Sequence, residues 1–328
     1  MKHFFLLFFA IFLILSSCKT DFDINAGYKD ITVVYGLLSQ NDNIHYIKIN
    51  KAYLGDGNAL LMATNPDSCT YGNFLEVKIE EWINGSPNQQ WYLDTTTIYN
   101  KEAGVFYNPK QVLYKFNAVL NENAEYRLII KNKNSGKIIT SSTKLVHNFT
   151  IDKPTSMQQL NFTATSPVEI KWSSALYGRL YQLIIRFRYK EKNIVTNDSV
   201  IKTLDWGLGT YKSKYLKGDE SMSTSYNGQN FYKFLHDNIP SSTPNIIRST
   251  AGLQMDFIIS VAADDFNTYM EVSAPSTGVS QVKPEYTNIN NGIGLFSTRY
   301  KIIRPLYMSG TSNDSLKLGQ YTKYLNFE

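Results

Sequence analysis

Residues 181–189 read Tyr181-Gln182-Leu183-Ile184-Ile185-Arg186-Phe187-Arg188-Tyr189. In an extended chain Tyr181, Leu183, Ile185, Phe187 and Tyr189 fall on one side, and Gln182, Arg186 and Arg188, followed by Lys190, on the other. That period of two is what a strand with one buried face requires, whereas a helix would scatter the same apolar residues around its axis. Just upstream, Val168, Ile170 and Trp172 alternate in the same way. Downstream, so do Phe296, Thr298, Tyr300 and Ile302.

The first half repeats the pattern. Leu75, Val77 and Ile79 alternate with Glu76, Lys78 and Glu80. Asn84-Gly85 follows, and the β-rich segment Gln90 to Ile98 returns, which predicts a hairpin with its loop around Gly85-Ser86-Pro87. A second hairpin is expected where Tyr126, Leu128 and Ile130 run up to Asn132, Asn134-Ser135-Gly136 turns the chain, and Lys137 to Leu145 runs back. With segments near Ile31 to Leu38, Ile44 to Leu54 and Val112 to Leu120, that makes about seven strands, the number an immunoglobulin-type sandwich uses.

Asp152-Lys153-Pro154 ends the stretch from Phe149 where the pattern restarts, and a boundary is placed there. The Trp172 strand ahead of the Tyr181 strand resembles the start of a fibronectin type III domain. Two short helices interrupt this half. Phe231, Phe234, Leu235 and Ile239 have helical spacing, and Asp264-Asp265 leads Phe266 and Met270 with the acids at the favourable end. The expected fold is therefore all-β: two tandem immunoglobulin/fibronectin III-like β-sandwich domains, 28–150 and 151–328, the second with helical insertions.

The N-terminus carries an address. After Met1-Lys2-His3 comes an unbroken apolar run from Phe4 to Leu15, then Ser16-Ser17-Cys18. As a helix the run would span ~18 Å, well short of the ~30 Å of a hydrocarbon core. It reads as a signal peptide, residues 1–17. Leu15-Ser16-Ser17-Cys18 resembles the bacterial lipobox, which implies that Cys18 is acylated and anchors the chain to membrane lipid. Residues 18–27 then form a lipidated tether. Asp21 and Asp23 within it fit either a plain solvated linker or the surface-export tag of Bacteroidota lipoproteins, which they resemble.

Composition limits the function classes. The chain has 328 residues, 43% hydrophobic and 14% aromatic, enough to fill one or two globular cores. The 33 Lys and Arg exceed the 28 Asp and Glu only slightly and are spread along the chain, so the clustered basic footprint of a nucleic-acid reader is missing. With Cys18 lipidated, Cys69 is the remaining thiol and reads as structural. His45, His147 and His236 are far apart, so no metal-ligand spacing occurs and no cofactor is expected.

No nucleophile elbow or phosphate-cradling loop is present. Ser141 to Lys144 and Ser280 to Lys283 match Ser-x-x-Lys, but that chemistry needs the pair one helical turn apart and the first lies in an expected strand. Two of Asp205, Glu220, Asp264, Asp265 and Glu285 could form a carboxylate pair, which keeps a surface-anchored hydrolase acting on glycosides or peptides as the alternative function. Asp264-Asp265 is more simply a helix cap. Most of the 23 Tyr and 18 Phe fall in strands. Tyr211, Tyr215, Tyr226, Phe231 and Tyr232 lie in a Gly/Ser-containing insertion and are the candidate binding surface.

Near the C-terminus, Asn291-Gly292-Ile293-Gly294-Leu295-Phe296 reads as a turn that sets strand register. With Val33-Val34-Tyr35-Gly36-Leu37 and Tyr46 to Leu54, it makes nearly all the mature chain similar to a family of uncharacterised-domain lipoproteins of Bacteroidota. Its members often accompany TonB-dependent receptors of the outer membrane, and no catalytic residue is established for them. The resemblance implies an outer-membrane, surface-exposed lipoprotein that serves such a transport system without catalysis.

Overall fold

The computed structural model describes residues 31–52, 59–100, 102, 107, 110–163, 166–241, 243–275 and 285–328. In the first half the chain forms β1 (Thr32–Leu38), β2 (Ile44–Lys51), the short helices α1 (Ala59–Ala63) and α2 (Pro66–Cys69), β3 (Leu75–Ile83), β4 (Ser86–Tyr92), β5 (Asp94–Ile98), β6 (Gln111–Asn117), β7 (Glu125–Asn132) and β8 (Ile138–Lys144). The expected hairpin forms with a shorter loop and a shorter return: Asn84-Gly85 alone turns the chain, Ser86 and Pro87 already belong to β4, and Asp94–Ile98 pairs with β6 in a different sheet. Ile83 faces Ser86, and both turn residues have positive φ, 52° and 79°, the geometry in which a two-residue loop matches strand twist.

The second half adds β9 (Ile151–Lys153), β10 (Val168–Ser173), β11 (Gly178–Asn193), β12 (Ser199–Lys212), β13 (Ser221–Tyr226), α3 (Gln229–Asn238), β14 (Ile246–Ser249), β15 (Met255–Ala263), α4 (Asp264–Ser273), β16 (Gly292–Leu306) and α5 (Gly310–Leu318). The fold is all-β in character, with sandwich packing in both halves, α3 and α4 as insertions between strands of the second half, and α5 after the last strand. Trp172 is fully buried and lies 6.0 Å from Tyr181 between ring centroids, the cross-sandwich contact that the fibronectin-like reading anticipates.

The two sandwiches share one sheet. Nine strands run in the order β12-β11-β15-β16-β1-β2-β6-β5, with β14 beside the far end of β11. A four-stranded sheet, β4-β3-β7-β8, and a three-stranded sheet, β13-β10-β9, complete the layers. One core joins Val34, Ile47 and Phe296 of the long sheet to Val77, Ile79, Leu128 and Ile130 of the four-stranded one. The other joins Leu183, Ile185, Phe257 and Ile259 to Ile170 and Trp172, closed at its margin by Phe231 and Leu235 of α3 and Leu316 of α5.

Strand β16 connects them. Its residues Gly292 to Thr298 pair in parallel with β1, and Arg299 to Leu306 pair antiparallel with β15. Phe296 enters the first core, whereas Tyr300 and Ile302 pack against the second. These three even-numbered residues point to one side of a single strand, so both cores lie on the same face of the long sheet. Residues 288–298 thereby return from the second half of the sequence to complete the first sandwich.

Gly294 sets that parallel register, as the sequence reading of the Asn-Gly-Ile-Gly stretch expects of a glycine turn. It faces Val34 with φ +114°, and a Cβ there would stand 2.0 Å from the Val34 carbonyl oxygen.

Candidate functional site

With both cores on one face, the opposite face of the long sheet is left for other uses. Its side chains follow from alternation: Val33, Tyr35 and Leu37 on β1, Ile44, Tyr46 and Lys48 on β2, Ile293, Leu295, Arg299 and Lys301 on β16. Tyr35, Ile44, Tyr46 and Ile293 are each more than 40% exposed, so this is an open apolar and aromatic surface rather than a second core.

Two inserted elements turn the flat face into clefts. The α1–α2 segment lies over β2, held where Asn50 Nδ2 donates to the Cys69 carbonyl at 2.9 Å. Within it, Thr70 donates from both its backbone N–H and its hydroxyl to the Pro66 carbonyl. Between this segment and the sheet is a cavity of about 340 Å³ whose walls include Val33, Tyr35, Pro66 and Cys69. Among the described residues, Lys48, Lys51 and Lys110 also line it, and no Asp or Glu does.

Helix α4 crosses the face further along. Asp264 is ion-paired with Arg179 at 2.6 Å, Asp265 accepts from the Tyr286 hydroxyl and from Asn288 Nδ2 (3.3 Å), and Glu271 is paired with Lys212. The two acids occupy the first turn, where the helix dipole favours them, but neither caps the helix. The cap expected at Asp264-Asp265 is thus corrected: the N-cap is Ala263, and the carboxylates are drawn to side chains of neighbouring elements instead.

On one side of α4 is a cleft of about 350 Å³ bordered by Tyr35, Tyr46, Phe266 and Tyr269, and on the other one of about 390 Å³ bordered by Gln182, Ser260, Met270 and Lys301. Tyr35 belongs to both of the first two cavities. The Tyr269 hydroxyl donates to that of Tyr35 at 3.2 Å with the rings edge to face, and burial together with this neighbour pushes the Tyr35 phenol up to about 12. It therefore stays protonated at physiological pH as a neutral polar handle in the middle of the groove.

The residues singled out from sequence are placed differently. Cys18, the signal peptide and the tether lie outside the described residues, as does the second Ser-x-x-Lys match. The aromatic set Tyr211, Tyr215, Tyr226, Phe231 and Tyr232 does not form a binding surface. Phe231 is fully buried and stacked 4.0 Å from Phe162, Tyr226 packs 5.7 Å from Trp206, and the Tyr232 hydroxyl donates to the Ser312 carbonyl at 3.0 Å. Tyr211 is half-buried against Trp172, with its hydroxyl donating to the Leu208 carbonyl and accepting from Thr224. Tyr215 is the exposed member, at 61%. The physical reason is that the stretch read as an insertion contains a core strand and the buried face of α3.

The carboxylates are also dispersed among separate partners. Asp205 makes a bidentate pair with Arg186 at 2.7 and 2.8 Å, Glu220 accepts from the Lys214 backbone N–H, and Asp264 and Asp265 hold α4 as described. Ser141 donates to the Asn288 carbonyl from the core-facing side of β8, while Lys144 lies over the Tyr177 ring on the other. Among the described residues no group of His, Cys, Asp and Glu could hold a metal, and no helix is long and apolar enough to cross a membrane.

Sequence reasoning passed over Tyr35, Tyr46, Lys48 and Tyr269. The signal was present in Val33-Val34-Tyr35 and in Tyr46-Ile47-Lys48, where aromatic and basic residues occupy the outward phase of short apolar strands. Which outward faces remain open is a property of the sheet order.

No protein-family model matches the chain, and no curated protein matches it. Among solved structures it is similar to the C-terminal globular domain of an oligosaccharyltransferase from Pyrococcus abyssi, with 10% identity and a TM-score of 0.24, over 68% of this chain and 47% of that one. A likeness of that degree carries no functional argument.

Proposed function

We propose that this protein is a lipid-anchored outer-membrane binding component, tethered through acylated Cys18, that serves a TonB-dependent transport system without catalysing a reaction. The observation that carries the binding part is the groove on the open face of the long sheet, where aromatic residues converge at Tyr35 between two inserted helical elements. A surface hydrolase is less well supported, because Asp205, Glu220, Asp264 and Asp265 are each committed to a different ion pair or hydrogen-bond set. The address and the transporter association rest on the lipobox and on the resemblance to Bacteroidota lipoproteins.

The test is purification of the native protein from membranes in mild detergent, beside a Cys18→Ala form. Recovery of one stoichiometric transporter with the native protein, and loss of membrane fractionation in the variant, are the expected results. Continued membrane fractionation of Cys18→Ala would overturn the anchor, and a native protein that brings down no transporter in any detergent would overturn the partner.

A further inference from the structure

We propose that the cleft on the Met270 side of α4 binds a neutral sugar, one or two pyranose rings laid across the strands of the long sheet. The proposal adds a ligand class to the binding reading above and rests on it. Three features of the cleft point to this class.

The first is its floor. Thr210 on β12 is opposite Gln182 on β11, Gln182 is opposite Ser260 on β15, and Ser260 is opposite Lys301 on β16. Residues directly opposite in a ladder point to the same face, so the four form one polar row across four neighbouring strands, about 14 Å long at the usual strand spacing. All four line the cleft. The amide and the two hydroxyls both donate and accept, and the ammonium donates, so the row meets ligand hydroxyls in either sense.

The second is what borders that row. On the two middle strands the rows to either side are apolar, Leu180 with Ala262 on one side and Ile184 with Ile258 on the other. Above the floor, Phe266 and Met270 of α4 supply an apolar wall. A pyranose has the matching anatomy, hydroxyls around its edge and C–H groups on its faces that an aromatic ring or a thioether covers. An alkyl chain in the same place would strip water from the polar row and give nothing back.

The third is charge and size. Lys301 stands at one end of the row, and the guanidinium of Arg299 on the same lining is 3.9 Å from the Asp42 carboxylate, which offsets it. The middle of the row, Gln182 and Ser260, is uncharged, so recognition there is by hydrogen bonds rather than by charge. A volume of about 390 Å³ accommodates one or two rings and no folded partner.

The test uses residues 19–328, which contain every described element. Maltose, cellobiose, lactose and chitobiose, neutral disaccharides that differ in linkage and hydroxyl arrangement, are titrated by calorimetry beside digalacturonate as the acidic comparison. At least one neutral disaccharide should bind saturably with a Kd of about 0.1–1 mM, and digalacturonate no more tightly. Gln182→Leu and Ser260→Val should each weaken that binding about tenfold, and Lys301→Gln less than about threefold. Thr203→Val, on the same face of β12 but outside the cleft, should change nothing. Gln182 is exposed and Ser260 half-buried, so both variants should keep the thermal midpoint of the parent, and Gln182→Asn, which draws the amide back by one methylene, serves if either does not fold.

No saturable binding of any of the four neutral sugars, or binding that folded Gln182 and Ser260 variants leave intact, would overturn the site. Binding of digalacturonate alone, lost in Lys301→Gln, would overturn the neutral ligand. None of these results depends on recovery of a transporter, so the two readings fail separately.

Discussion

His45 shows how a buried titratable group ties this fold to pH. Its ring is packed 4.9 Å from Phe116, and its Nε2–H donates to the Ala118 carbonyl at 3.1 Å. Burial holds the imidazole below its ordinary value, partly opposed by that backbone bond and by Asp42. The unfolded chain therefore takes up the proton first as pH falls. The stability contribution is complete above the ordinary imidazole value of ~6.5 and is lost below it, toward the lower folded value. The carboxylates held low by cationic partners, Glu80 beside Lys78 and Asp205 beside Arg186, lose their contributions only in the more acidic carboxylate range. We expect the urea midpoint to fall between about pH 7.5 and about pH 5.5, and to fall less in His45→Gln. Equal drops in the two proteins would remove His45 from the explanation. At this scale the sequence was an uneven guide. His45 has the inward phase of β2 and is legible as core, whereas Phe231 and Tyr232 lie in a polar, Gly/Ser-containing context that disguises the buried face of α3.

Among elements, those built from neighbours in sequence were the legible ones. The β3–β4 and β7–β8 hairpins follow from alternation and turn residues within about ten positions, and the buried phase of β11 follows from its own period of two. Strand β12 is different: it is mostly exposed, with a short alternation at Leu204, Trp206 and Leu208 that reaches the second core, and main-chain pairing along nearly the whole of β11 holds it extended. The parallel joining of β1 to the start of β16 links residues at opposite ends of the chain, and nothing local encodes it. Gly294 is the one local trace of that contact. Gly294→Ala would combine a positive φ with a clash on the Val34 carbonyl, and we expect a loss of about 3 kcal/mol in urea unfolding. Gly310→Ala, where φ is unexceptional and an added Cβ meets open space, should be close to neutral. A Gly294→Ala protein as stable as the parent would mean that the β1–β16 register is not the one described.

For the whole molecule, the shared sheet explains both the division of the cores and the position of the groove. Because Phe296 and Ile302 project from one side of one strand, the two smaller sheets lie on the same side, and the other side is open to the helical segments that shape the clefts. The alternation of each strand was readable from the residues, but the face that stayed uncovered was not, since it depends on β16 passing between the halves. The most direct measurement of this arrangement is the thermal unfolding of residues 28–150 expressed alone, followed by near-ultraviolet circular dichroism. Without Phe296 and the strand that pairs with β1, the fragment should show no cooperative transition and no fixed aromatic signal. A cooperative transition with a native-like aromatic spectrum would contradict the shared sheet and return the chain to two independent sandwiches.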